Sequence, residues 1–192
     1  MRALIAMMIV SDSSGAKSPI LGFYAGESPD DCGRYLAEIP QWPDERLEAV
    51  HDYIQWLFPL REPSNFNPEA PVLDAKTIRQ FRSRVELKEN LRTSFLRMLK
   101  FYGLEMTADP TPKIARAGNF EQRSRNWLSP MNHNHLRITR IIKSLRLLGL
   151  EAEASAFFDC LNNIYAEESA KPRPRITLET YQYWQAATRE TA

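Results

Sequence analysis

Three histidines and a few arginines and amides are the side chains of this sequence best suited to chemistry. In HDYIQWLFPL, His51 precedes Gln55 by one helical turn and follows Glu48 by three residues. At 100° per residue these three share one shoulder of a helix whose apolar arc is Leu47, Val50, Ile54, Leu57 and Phe58. His51 and Gln55 could therefore line a ligand pocket. The plainer reading is a core-edge histidine whose ring nitrogens bond to neighbours. His51 and the adjacent Asp52 point about 100° apart and form no dyad.

The other two histidines lie in MNHNHLRITRIIKSLRLLG. Adjacent letters His133, Asn134 and His135 cannot spread over a strand–strand–helix metal site, so the nuclease spelled the same way is excluded. Three histidines and two distant cysteines also supply no zinc set, and no metal or cofactor is expected. Asn132 or His133 suits the cap of the helix that follows. That helix, Leu136 to Leu148, has an apolar arc of Ile138, Ile141, Ile142, Leu145 and Leu148. Its other face carries Arg137, Arg140, Lys143 and Arg146 with Leu136 and Leu147 among them, which implies a second contact, internal or with a partner.

No catalytic motif appears: no G-x-S-x-G, phosphate loop, HExxH or Cys–His arrangement. The chain reads as a non-enzymatic binding module. Its candidate ligand-binding residues are the polar groups least needed for folding: His51, Gln55, Arg116, Asn119, His133, Asn134, His135, Arg137 and Arg140.

The elements that must position them are helical. The chain has 192 residues, 43% hydrophobic and 26% charged, with a net charge of +1, ordinary for one soluble domain. We expect a single all-α domain over residues 20–167 with Pro-rich connecting loops, a flexible segment over 1–19, and a linker with a short, loosely attached helix over 168–192. Helices are predicted from Pro29 to Ile39, Asp44 to Phe58, Asp74 to Phe81, Val85 to Tyr102, Leu136 to Leu148, Glu151 to Glu167 and Thr177 to Ala187. Gly103 in FYGL and Gly149 in LLGL suit left-handed helix stops. Pro59 to Leu73 carries four prolines and reads as a loop.

Cys32 and Cys160 form no disulfide framework, so a reducing cytoplasm is the simplest home. The apolar run near the N-terminus leaves export open if residues 1–17 act as a signal. No stretch reaches the roughly 20 apolar residues that span a membrane. Charge is unevenly spread: Glu27 to Asp52 sums to −6, Lys76 to Lys100 to +6, and Lys113 to Arg146 to +7. The basic middle could meet the acidic front or an external anion. It also allows an alternative from another class, nucleic-acid binding, with Phe120 or Trp127 stacking on bases.

In order, LEAVHDYIQWLFPLREPSNFNPEAPVL, MLKFYGL, ARAGNFEQRSRNW and HNHLRITRIIKSLRLLGLE resemble the conserved region of the opioid growth factor receptor family over about Ile20 to Tyr165. The H-[DE]-Y-I-Q-W-L-F-P and L-R-I-T-R-I-[IL]-K-S-L blocks are long and unusual. The resemblance implies receptor activity: animal members bind an enkephalin-type opioid peptide and restrain cell growth, at the nucleus or described as membrane-associated. It implies no catalytic residues. The chain reads as a compact, stand-alone, bacterial form without the repeat-bearing tails of some animal members.

Overall fold

The computed structural model describes residues 18–107 and 110–192. The segment expected to be flexible, and the signal alternative, lie up to residue 17 outside the described residues. In chain order the helices are α1 (Pro19–Tyr24), α2 (Asp44–Ala49), α3 (Ile54–Leu57), α4 (Ala75–Ser83), α5 (Val85–Tyr102), α6 (Phe120–Arg123), α7 (His133–Leu147), α8 (Glu151–Ser169) and α9 (Leu178–Ala187). The molecule is largely helical but not all-α. Leu104–Thr107 (β1) and Lys113–Arg116 (β2) pair antiparallel, with Leu104 opposite Arg116 and Thr107 opposite Lys113. Leu104 is buried and Met106 partly buried on the inner face. Four residues per strand give too short an alternation to stand out from helical periodicity.

The core is built around α5 and α7. Leu87, Leu91, Phe95 and Met98 of α5 are fully buried, as are Ile138, Ile141, Ile142 and Leu145 of α7. Phe95 meets Phe157 of α8 edge-on at 5.4 Å. Helix α7 touches both α8 and α9, which explains Leu147: the side that carries it is covered, and Leu147 is buried. Trp184 of α9 is also buried, and its Nε1 donates to the His135 carbonyl at 3.1 Å.

Helix ends follow local chemistry. Asp74 accepts from the Thr77 amide at 2.6 Å, and Asn132 Oδ1 accepts from the Asn134 amide at 2.9 Å, each satisfying a first-turn donor. At the far end of α5, Gly103 has φ +76°. A Cβ there would stand 2.8 Å from Arg123 Cβ and 2.9 Å from Phe120 Cα. Gly103→Ala is expected to cost about 1–2 kcal/mol for the left-handed backbone alone, with the clash against α6 added. The urea midpoint of this variant measures it, and an unchanged midpoint would refute the close approach.

Two expected helices are not formed as drawn. From Pro29 to Ile39 the chain makes turns, with only a short 3₁₀ turn at Ile39–Gln41. Asp30 Oδ1 accepts from the amides of Cys32 and Arg34 at 2.9 Å, and Gly33 has φ +78°. This side-chain-to-backbone bonding replaces the helical ladder. The helix expected from Asp44 to Phe58 breaks at Val50, which is extended at φ −91°, ψ 135°.

Candidate functional site

The break at Val50 makes the site. In a continuous helix the Leu47 and Val50 carbonyls would accept from the amides of His51 and Ile54. Instead Arg137 Nη1 donates to Leu47 O at 3.0 Å and Nη2 to Val50 O at 2.9 Å. Tyr53 Oη also donates to Leu47 O at 3.1 Å. The stiff guanidinium fork is matched to two carbonyls that face one way. His51 is thereby turned outward at the joint, and α3 starts in a new direction.

A cleft of about 280 Å³ opens between α3, the loop after Pro59 and α7. His51, Gln55, His133, Arg137 and Arg140 all line it, so five of the sequence candidates converge. The His51 and His133 rings lie 5.1 Å apart, and His133 Nε2 is 3.3 Å from Glu48 Oε1. Much of the remaining wall is apolar: Ile54, Leu60, Leu136 and Phe66. Leu136 is 55% and Phe66 74% exposed, both at the lip.

The individual roles differ. Gln55 is buried and works as a tie. With Nε2 facing the His51 and Asp52 carbonyls at 3.2 and 3.1 Å, its Oε1 accepts from Ser64 Oγ at 3.2 Å. Ser64 Oγ in turn accepts from the Phe66 amide at 3.2 Å. One amide side chain thus fastens the loop wall to the joint. Asn134 is fully buried behind the cleft, donating to Glu48 Oε2 at 3.1 Å and accepting from Arg137 at 3.2 Å.

His135 faces the core on another side of α7. Its Nε2 must donate to Trp127 O, 2.9 Å away, and the buried Nδ1 is left without a partner. Arg116 and Asn119 stand apart from the cleft. Arg116 pairs with Glu167 at 2.7 Å and covers the Phe120 ring, and Asn119 lines a separate hollow with Leu96 and Leu99.

Sequence reasoning missed the loop wall, and it placed Lys143 on the basic face of α7 without naming it among the candidate residues. Leu60, Ser64 and Phe66 carry no periodic signal, because the wall is set by tertiary bonds. Asn67 Nδ2 reaches Asp31 Oδ2 at 3.1 Å and Asp52 O at 3.3 Å. Arg34 Nη1 lies 2.7 Å from Asp52 Oδ1.

The acidic front meets the basic middle inside the molecule: Arg97 and Arg123 both pair with Asp44, at 2.6 and 2.9 Å. Phe120 is 6% exposed and Trp127 is fully buried, so neither can stack on a base. Among the described residues no His, Cys, Asp and Glu side chains group to hold a metal. Nor is any helix there long and apolar enough to cross a membrane.

Burial pushes the His135 pKa below its usual value, with the Trp127 bond opposing and nearby His133 reinforcing the shift. A depressed histidine favours folding fully above the unfolded pKa of about 6.5 and less as pH falls below it, because the unfolded chain takes up the proton first. The melting temperature is therefore expected to drop between about pH 7.5 and about pH 5.5. His135→Gln, whose amide can still donate to Trp127 O, should flatten that slope. An equal slope in this variant would assign the loss to other groups.

The opioid growth factor receptor conserved region matches residues 17–191. The chain is 44% identical to the mouse opioid growth factor receptor over 135 residues, 68% of this chain and 21% of that protein. It is 41% identical to the human receptor over 149 residues, 74% of this chain and again 21% of the relative. Against the mouse opioid growth factor receptor-like protein 1 it is 40% identical over 136 residues, 69% of this chain and 29% of that protein. The chain thus spans about a fifth of the length of the receptors it matches. No solved structure matches it. With nearly the whole chain matched by one conserved region, this protein belongs to the opioid growth factor receptor family.

Proposed function

We propose that this chain is a non-enzymatic binding module that takes a peptide or small ligand in the cleft between α3, the Pro59–Phe66 loop and α7. One observation carries the reading: a half-open apolar hollow with convergent polar groups, built by residues distant in sequence. Sites of this kind are small, concave and largely preformed, with few polar groups to fix orientation. The relatives named as receptors support ligand recognition. Free Cys32 and Cys160 suit a reducing cytoplasm.

Methyl NMR tests the site. With Ile, Leu and Thr methyls labelled, peptides and small organic acids, amines and neutral compounds are titrated into the full chain. Binding should move Ile54, Leu136 and Thr139 before any other methyl. Ligands whose shifts cluster elsewhere would refute the cleft as the binding site. Nucleic-acid binding is the weaker reading, since the aromatics it needs are buried and much of the basic charge is paired.

A further inference from the structure

Three cations line the inner part of the cleft on α7, and their compensation differs. Arg137 is held by two backbone carbonyls and lies 3.9 Å from Glu48. Lys143 stands 3.2 Å from Glu62 and 3.5 Å from Glu190. Arg140 Nη1 donates to Phe58 O at 3.1 Å. Among the described residues no carboxylate comes within 4.0 Å of Arg140, and its Nε and Nη2 have no hydrogen-bond partner. A guanidinium presents five donors in a fixed fork, and here only one is used.

The surroundings limit what could take the rest. The wall beside Arg140 is Ile54, Leu60, Leu136 and Phe66, which favours an apolar body. The volume of about 280 Å³ is at the small end of ligand sites, so one compact apolar group fills it. Glu62 flanks Arg140 through Lys143, and Glu48 stands behind His133. A polyanion would bring its second charge against one of these carboxylates. A single carboxylate on Arg140 meets only the field of Glu62, which Lys143 partly neutralises.

Resting on the cleft being the binding site, we infer that its ligand carries one carboxylate on an apolar body, the carboxylate on the Arg140 fork and the body against Leu60, Leu136 and Phe66. The C-terminus of a peptide ending in a large apolar residue has this chemistry, and so does a free aryl-alkanoic acid. A planar carboxylate can accept two parallel N–H bonds from Arg, whereas an amide offers one acceptor and a clashing donor.

The test uses the full chain, calorimetry and the labelled methyls, with four probes: 4-phenylbutyrate, its amide, and N-acetyl-Ala-Ala-Phe as free acid and as C-terminal amide. At least one acid should bind in the millimolar range or tighter, shift Ile54 and Leu136, and bind at least about tenfold more tightly than its amide. Arg140→Gln should remove that preference and leave amide binding alone; Arg140→Lys should keep part of it. Because Arg140→Gln also loses the bond to Phe58 O, Leu136→Glu serves as a second variant. It changes an exposed lip residue and should weaken the acids through repulsion while the melting temperature holds.

Tighter binding of the peptide acid or of phenylbutyrate would uphold the carboxylate and name its source. Amides that bind as well as the acids, an Arg140→Gln chain that still prefers acids, or no binding of either acid would overturn it. Amides that bind as tightly as the acids and shift only Ile54 and Leu136 would do so while leaving the cleft reading intact. Acid shifts that spare those methyls would overturn both.

Discussion

Leu145→Asp is expected to leave no folded protein. Leu145 has no exposed surface and sits on the inner arc of α7 with Ile138, Ile141 and Ile142. Removing a buried leucine forfeits about 1.5–3 kcal/mol of burial and leaves a cavity that the packed α8 cannot wholly close. The carboxylate is then buried in the apolar core cluster. It must either stay ionised without a partner or bind a proton, and both cost several kcal/mol. The sum approaches the ~5–15 kcal/mol that holds a typical domain together. A near-UV circular dichroism spectrum without tertiary signal, and no cooperative melt, are the expected results. Leu136→Asp makes the same change about two and a half turns away on an exposed residue, and should shift stability by only about 0.5 kcal/mol. A folded Leu145→Asp chain would contradict the packing of α7.

Helices that are long and rich in one apolar face were legible because many residues vote for them. α5, α7, α8 and α9 lie within a few residues of their predicted positions, and Asn132 and Gly103 do the jobs their types suggest. Where single tertiary bonds compete with a short ladder, periodicity fails. Asp30 turned an expected helix into an Asx turn, and Arg137 cut another in two from 90 residues away. The hairpin was invisible for the opposite reason: its strands are too short to vote.

The candidate site was legible in its residue types and not in its geometry. His51 and His133 come together at the cleft, whereas Gln55 and Asn134 are ties of the wall. The basic face of α7 implied a second contact, internal or with a partner. Most of it is engaged, because the acidic front and the loop after Pro59 fold over it. Lys143→Glu, which in an exposed helix face would be mild, here opposes Glu62 and Glu190 together. Of the three cations that line the cleft, Arg140 alone has no carboxylate within 4.0 Å among the described residues, which is why the proposed carboxylate is placed there.

Arg137→Leu should be nearly as damaging as a core substitution, although it adds an apolar side chain. Arg137 is 5% exposed, and its guanidinium joins Leu47 O, Val50 O and Asn134 Oδ1 at 3.0, 2.9 and 3.2 Å. Leucine leaves Val50 O and Asn134 Oδ1 without this donor, and each buried acceptor lost costs about 1–3 kcal/mol. Glu48 also loses its nearby charge. Against this stands the desolvation of the guanidinium, which the variant avoids, so the expected net loss is about 3 kcal/mol. For a chain of this size that lowers the melting temperature by roughly 6–12 °C. Arg137→Lys separates charge from shape: an ammonium can reach one carbonyl but not fork to both, so it should recover less than half of the loss. The joint at Val50 should loosen with it. Amide exchange at His51 to Ile54 is expected to quicken more than exchange in α5, since only the joint depends on Arg137. Full recovery by lysine, or uniform exchange across both regions, would mean that charge alone holds α2 against α7 and that the fork does not shape the cleft.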